Sequence, residues 1–320
     1  MAKIPCRRER PYQKQTILHN SHSPKTMTSR NEIVLLATYW NEEQWIRPSL
    51  EQIRRIDPIE ILICDGCFDP NRRNRSTDGT REIIAEFVDE RDHARMISAR
   101  RPWRPLGVLA MLCGHDHSPL RNMATLSRFN TAYKSLRTAA YRLNQALTFK
   151  YMIGLSEKWK PGRWFMTYDA DQFYDDETID GFSLTNEETE VGILTAEERT
   201  FFTSFDSYTT EYEQRTYNNM PHKIYPDTMI QPTRDLVLER QTRKPGSLEA
   251  RWRSQRYIHH VDTEFVGTYN HYKIESLDPE RFEDGYELGD RERPDESDYE
   301  MNNYDEQHPT VIREHFPELT

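Results

Sequence analysis

The sequence predicts an α/β fold: a mixed, mainly parallel sheet flanked by helices, followed by an irregular C-terminal region. Two observations predict it. Short, uniformly apolar runs at 33–38 and 59–64 have the composition of strands buried on both faces, as in parallel sheets. Helical periodicity separates them, so the first hundred residues read β-α-β-α-β.

Ordered structure is expected to begin at Ile33, after a polar, basic stretch (residues 1–30) that reads as a flexible arm. Ile33-Val34-Leu35-Leu36-Ala37-Thr38 is the first strand. Asn41-Glu42-Glu43 opens a helix, because acidic side chains suit its first turn; Trp45, Leu50, Ile53 and Ile56 form its apolar face, and Asp57-Pro58 stops it. Ile59 to Cys64 is the second strand. Asp78-Gly79-Thr80 caps a second helix whose Ile83, Ile84, Phe87 and Val88 face inward. A short strand at 95–98 follows. Residues 102–130 show no period. A long helix is expected over 131–158, with Leu136, Ala140, Leu143, Leu147 and Tyr151 at helical spacing. Residues 163–168 read as a strand ending in Asp169-Ala170-Asp171, and 191–195 as another. The domain division is an arm at 1–30, a main domain at 31–274 (with a ligand-binding half at 31–180 and an acceptor half at 181–274), and an acidic segment at 275–320.

The chain of 320 residues is 36% hydrophobic, 30% charged and 11% aromatic. That aromatic content excludes wholesale disorder. The longest apolar runs fall well short of the ~20 residues that span a bilayer, and the N-terminus lacks the apolar core of a secretory signal. A cytoplasmic location without a membrane span is the expectation. The net charge of −10 is uneven: residues 275–320 hold 16 acidic against four basic residues. Two stretches lean basic, Arg95 to Arg104 and Arg234 to Arg256; they read as solvated loops or as contacts to nucleotide or nucleic-acid phosphates.

Three segments carry chemistry, each at the carboxyl end of an expected strand, the edge where open α/β sheets bind ligands. They are Thr38-Tyr39-Trp40-Asn41-Glu42-Glu43, Cys64-Asp65-Gly66 with Ser76-Thr77-Asp78-Gly79-Thr80, and Tyr168-Asp169-Ala170-Asp171. Carboxylates at i, i+2 where a strand breaks into a turn suit a hard cation such as Mg²⁺ or Mn²⁺, which retains coordination sites for substrate phosphates. By itself a D-x-D pair is more often a solvated turn.

The combination is more specific. ATYWNEE after the first strand, ICDG after the second, then STDGTREII, R-x-N-x-A-L on a helix and YDAD after a strand resembles the family 2 glycosyltransferases, over roughly residues 31–180. The resemblance implies a GT-A fold, a Rossmann-like single domain, and metal-dependent, inverting transfer of a sugar from a nucleotide-sugar donor, a UDP-sugar above all, to a hydroxyl acceptor. It further implies that Thr38, Tyr39 and Glu42 line the nucleoside pocket, that Asp65 hydrogen-bonds the base, that Arg142 and Asn144 lie beneath the donor, and that Asp169 and Ala170 hold the donor. Asp169 and Asp171 would bind Mn²⁺ or Mg²⁺. Two departures stand out. Residues 67–75, with Arg72, Arg73 and Arg75, interrupt the family's compact D-G-S-x-D-G-T. Leu248 precedes Arg251-Trp252 where processive members carry Gln, which argues against polymer synthesis.

At the distance where the family places its general base stand Asp262 and Glu264, and His271 fits a third metal ligand, with His259 and His260 as competitors. Glu197 and Glu198 are reserve candidates for acceptor contact. Cys64, Cys67, Cys113, His115 and His117 offer an alternative zinc site that would share the Asp65 loop. The acceptor reads as a saccharide, a lipid-linked glycan or a hydroxymethylated base in DNA. Arg251, Arg253 and Arg256 would guide the last of these toward Asp262. Competing classes are a nucleotidyltransferase, against which the glycine-free TYWNEE loop counts, and a binding module that has lost its chemistry.

Overall fold

In the computed structural model the described residues are 30–101, 140, 141, 144, 145, 147–149, 151–160, 162–182, 191–212, 220–223, 262–274, 277 and 296–318. The elements in chain order are β1 (Asn31–Tyr39), α1 (Glu43–Ile56), β2 (Pro58–Asp65), α2 (Thr80–Asp89) and β3 (Ala94–Ser98). Helical residues between 140 and 155 follow (α3). The chain continues through β4 (Trp164–Tyr168), β5 (Gln172–Tyr174), α4 (Asp176–Asp180) and β6 (Val191–Phe201). It ends with β7 (Ser207–Tyr208), β8 (His222–Lys223), β9 (Asp262–Tyr272), β10 (Asn302–Asn303) and α5 (Thr310–His315). The fold is mixed α/β, as expected. Residues 1–29 of the basic arm lie outside the described residues.

Among the described residues, eight strands form one sheet in the order β3-β2-β1-β4-β8-β6-β9-β5. β3, β2, β1 and β4 run parallel, as do β6 and β9, while β8 and β5 run antiparallel to their neighbours. The carboxyl ends of β1, β2, β4, β6 and β9 therefore share one edge. β1 continues sideways to β2 and β3, whereas β4 lies on its other flank, so the strand order reverses between β1 and β4, the switch point at which open α/β sheets bind ligands.

Strand alternation distributes the core over both faces. Ile33, Leu35, Ala37, Ile61, Ile63, Trp164 and Met166 pack with α1 and α2 residues Trp45, Ile53, Ile84 and Phe87. Val34, Leu36, Leu62, Cys64 and Phe165 pack with Phe149, Met152 and Ile153 of α3. Near-continuous burial of β1 and β2 is what their uniformly apolar sequences require.

The acidic C-terminal segment is more than a charged tail. Residues 296–318 dock on the α1 face: Val311 and Ile312 join the main core, and Phe316 lies 5.1 Å from Trp45 and 6.0 Å from Phe205. His308 sits among aromatic rings, with Nδ1 2.8 Å from the Tyr272 hydroxyl and Nε2 3.0 Å from the Phe205 carbonyl. Glu306 takes both Arg199 guanidinium nitrogens at 2.8 and 3.1 Å, and Asp176 accepts from the Thr310 hydroxyl at 2.6 Å. The apolar residues of this segment decide its fate despite its charge.

Candidate functional site

The first two sequence segments interlock at the carboxyl edge. The Asn41 amide donates to Ser76 Oγ, the Glu42 amide to Thr80 Oγ1, and the Thr77 amide to Asn41 Oδ1. Asp78 accepts from the amides of both Glu43 and Thr80, while Glu43 returns a carboxylate oxygen to the Gly79 amide. The two helix starts thus cap each other, satisfying amides that would otherwise lack partners. Asn41 takes φ 53°, a left-handed conformation that asparagine tolerates.

Asp65 is fully buried at the end of β2. Its Oδ2 lies 2.6 Å from Arg81 Nη1, and its Oδ1 accepts from the Ser76 amide at 3.0 Å. Glycine follows for a steric reason: a Cβ at Gly66 would stand 2.5 Å from Ala99 Cβ and 2.8 Å from its amide nitrogen. Thr38 is half-buried and Tyr39 buried, its hydroxyl sharing a 2.7 Å hydrogen bond with Ser49 inside the core. Burial, and secondarily the nearby carboxylates of Asp169 and Glu42, push the Tyr39 pKa well up despite that hydrogen bond.

The interrupting residues 67–75 are tied down. Arg101 donates to the carbonyls of Cys67, Pro70 and Arg72, and Asn144 Nδ2 donates to the Phe68 carbonyl at 2.9 Å. Asn144 is buried and holds this loop; Arg142 lies outside the described residues. Arg72 is poised over the Trp40 ring at 5.3 Å, with Arg73 and Arg75 exposed. The first basic stretch is also engaged: Arg95 pairs with Glu60 at 2.6 Å, and Arg100 stacks 3.8 Å from the Tyr151 ring. Burial pushes the Cys67 thiol up to about 11 and the Cys64 thiol higher, which keeps both protonated. The other zinc candidates, Cys113, His115 and His117, lie outside the described residues, as do His259, His260, Arg251, Arg253 and Arg256.

The third segment crosses from β4 to β5. Asp169 is half-buried on the β1 side, close enough to Tyr39 and Tyr168 for its charge to raise both hydroxyl pKa values. Ala170 is buried. Asp171 reaches the end of β9, where its carbonyl accepts from the Tyr272 amide at 2.8 Å. There Asp171 Oδ2 lies 3.2 Å from His271 Nε2. His271 Nδ1 lies 2.9 Å from Glu198 Oε1, and Glu198 Oε2 accepts from the Tyr269 hydroxyl at 2.9 Å. All four side chains are buried. Burial disfavours charge on His271, and so does Lys273, but Asp171 and Glu198 outweigh them and raise its pKa.

Register explains this convergence. The β6–β9 ladder pairs Glu198 with Tyr269 and Thr200 with His271, so these residues share one face, while Arg199, Phe201, Asn270 and Tyr272 take the other. A bulge at Gly267 sets the phase. Gly267 has φ 144°, and a Cβ there would stand 2.3 Å from Thr178 Oγ1, which binds the Thr268 amide and carbonyl.

The expected base candidates are not brought to this site. Asp262 opens β9 and Glu264 follows two residues on, exposed. β9 runs parallel to β6, so its start lies at the opposite edge of the sheet. The seven residues from Glu264 to His271 span roughly 20 Å at ~3.3 Å each. Glu197 is exposed, whereas Glu198 is buried with a carboxylate oxygen 2.9 Å from His271 Nδ1.

Among the described residues, no three His, Cys, Asp or Glu side chains form a group that could hold a metal ion. A two-ligand site does fit. Bonds of ~2.1 Å at right angles separate two cis ligands by about 3 Å, close to the Asp171–His271 spacing. An imidazole whose far nitrogen is held by a carboxylate is the usual surrounding of a metal-binding histidine. None of the helices among the described residues is long and apolar enough to cross a membrane. The sequence matches no protein-family model and no curated protein.

Proposed function

We propose that the chain is a glycosyltransferase of GT-A architecture that moves a sugar from a nucleoside-diphosphate donor to a hydroxyl acceptor. One observation carries the reading: Asp171 and His271 stand at metal-ligand spacing, with Glu198 fixing the imidazole, on the sheet edge that also carries Asp65 and the β1–β4 switch point. Asp171 and His271, with Asp169 alongside, would hold Mn²⁺ or Mg²⁺, which when bound neutralises charge on a diphosphate leaving group. The chain's own residues do the rest. Glu198 locks the ring orientation of His271. Trp40, Arg72 and the Asp65–Arg81 pair border the end of the sheet where the nucleoside would sit. Because Asp65 is fully buried and already bonded to Arg81 and Ser76, a base reaches it only if the 76–81 segment shifts.

The test is thermal stabilisation by UDP, GDP, CDP and TDP, with and without Mn²⁺, repeated with Asp171→Asn. One nucleotide should stabilise the wild type in a Mn²⁺-dependent way, and the variant should keep its fold while losing both the metal dependence and sugar transfer. Indifference of the wild type to all four, or full transfer by the variant, would overturn the proposal.

A further inference from the structure

We infer that Lys273 is a second cationic group of this site, placed to contact the diphosphate of the donor; the inference rests on the transferase reading and names the leaving group it takes. The backbone ladder continues past the end of β9, since the Tyr272 amide bonds the Asp171 carbonyl and the Lys273 amide bonds the Phe201 carbonyl, both at 2.8 Å. Period-two alternation therefore still holds at Lys273. Tyr272 points into the aromatic core, stacking on Trp45 at 5.7 Å and Phe201 at 4.9 Å. Lys273 must then project to the opposite face, the face of His271.

The half-buried Lys273 places its ammonium 5.5 Å from the centre of the Tyr212 ring. That ring is itself braced edge-on by Phe202 at 5.1 Å and Tyr299 at 5.8 Å. The cation is thus held on the site side of the sheet. Lys273 stands two residues beyond His271 on the same face, and Asp171 lies 3.2 Å from His271 Nε2.

The chemistry needs such a charge. In glycosyl transfer the acceptor oxygen bonds the anomeric carbon as the bond from that carbon to the distal phosphate oxygen breaks. The bonding pair stays on that oxygen, the acceptor proton leaves with a base, and the nucleoside diphosphate departs one unit more negative. An ammonium is a compact point charge with three donors that can follow a phosphate oxygen as its charge grows. A nucleoside monophosphate lacks the distal phosphate, so Lys273 should favour diphosphates.

The experiment is calorimetry on the full chain, in Mn²⁺ and in EDTA, with the best of the four nucleoside diphosphates and its matching monophosphate. The wild type should prefer the diphosphate by tenfold or more. Lys273→Met should lose most of that preference while its monophosphate affinity stays within twofold, and Lys273→Arg should retain it. A preference that survives in Lys273→Met, or equal loss of both affinities, would overturn the role of Lys273 and leave the transferase reading intact. A wild type that binds none of the nucleotides would overturn both.

Discussion

Replacing Glu198 by Gln tests whether this carboxylate, through His271, would strengthen the metal binding proposed above. Gln keeps the volume and can present its carbonyl oxygen to His271 Nδ1, where Glu198 Oε1 now sits at 2.9 Å. Its amide NH₂ then faces the Tyr269 hydroxyl, whose oxygen can accept, so the packing survives. What disappears is the charge. A hydrogen bond to a charged group contributes ~1.5–3 kcal/mol against ~0.5–1.5 kcal/mol for a neutral one, so the stability loss should be about 1–2 kcal/mol. The loss of ligand basicity should weaken metal binding by ~10–100-fold, the range for partners behind a metal-binding histidine. The assay is a Mn²⁺ titration of protein saturated with its preferred nucleoside diphosphate, alongside a thermal melt. An unchanged Mn²⁺ affinity with a normal melt would refute the reasoning and leave Glu198 as a packing residue.

Two further expectations concern stability. Gln52 on α1 accepts from the Tyr168 hydroxyl and the Tyr174 amide at 2.8 and 2.9 Å and donates to the Tyr174 carbonyl at 3.0 Å, all buried; Gln52→Leu orphans these groups and should cost about 3–5 kcal/mol in urea unfolding. Burial, only partly offset by the Phe205 carbonyl and by Asp206, and reinforced by Arg313, lowers the His308 pKa to about 4. Because it is lowered, its contribution is complete above pH ~6.5, the unfolded value, and declines as pH falls toward 4. Comparing melts at pH 7.5 and 5, the wild type should lose roughly 2–4 °C more than His308→Gln, and equal losses would show that His308 does not titrate the docking.

The legible part of this fold was whatever a local pattern could specify. Uniformly apolar runs marked β1 and β2, and D-x-D marked the turn after β4, because burial on both faces and a strand's end each leave a signature in a few residues. Partners depending on long-range pairing were not legible. Asp65 reads as an open acceptor, yet Arg81, sixteen residues on, closes it. Nothing local to Gln52 signals its burial, since the three groups it bonds lie more than a hundred residues away. The acidic composition of the C-terminal segment masked Val311, Ile312 and Phe316, whose burial decides its placement.

The site itself turns on register. Asp262, Glu264 and His271 were all read by their distance from D-x-D along the chain, but in a strand direction and phase decide. Because β9 runs parallel to β6, only its last residues reach the carboxyl edge, which brings His271 to Asp171 and leaves Glu264 roughly 20 Å behind. Phase then selects among those last residues. The bulge at Gly267 turns Tyr269, His271 and Lys273 to one face and Asn270 and Tyr272 to the other; without it, a slip of one residue would send the imidazole into the aromatic core and a tyrosine toward Asp171. The glycine that permits the bulge stands four residues before His271, yet the site depends on its lack of a side chain as much as on the residues it positions.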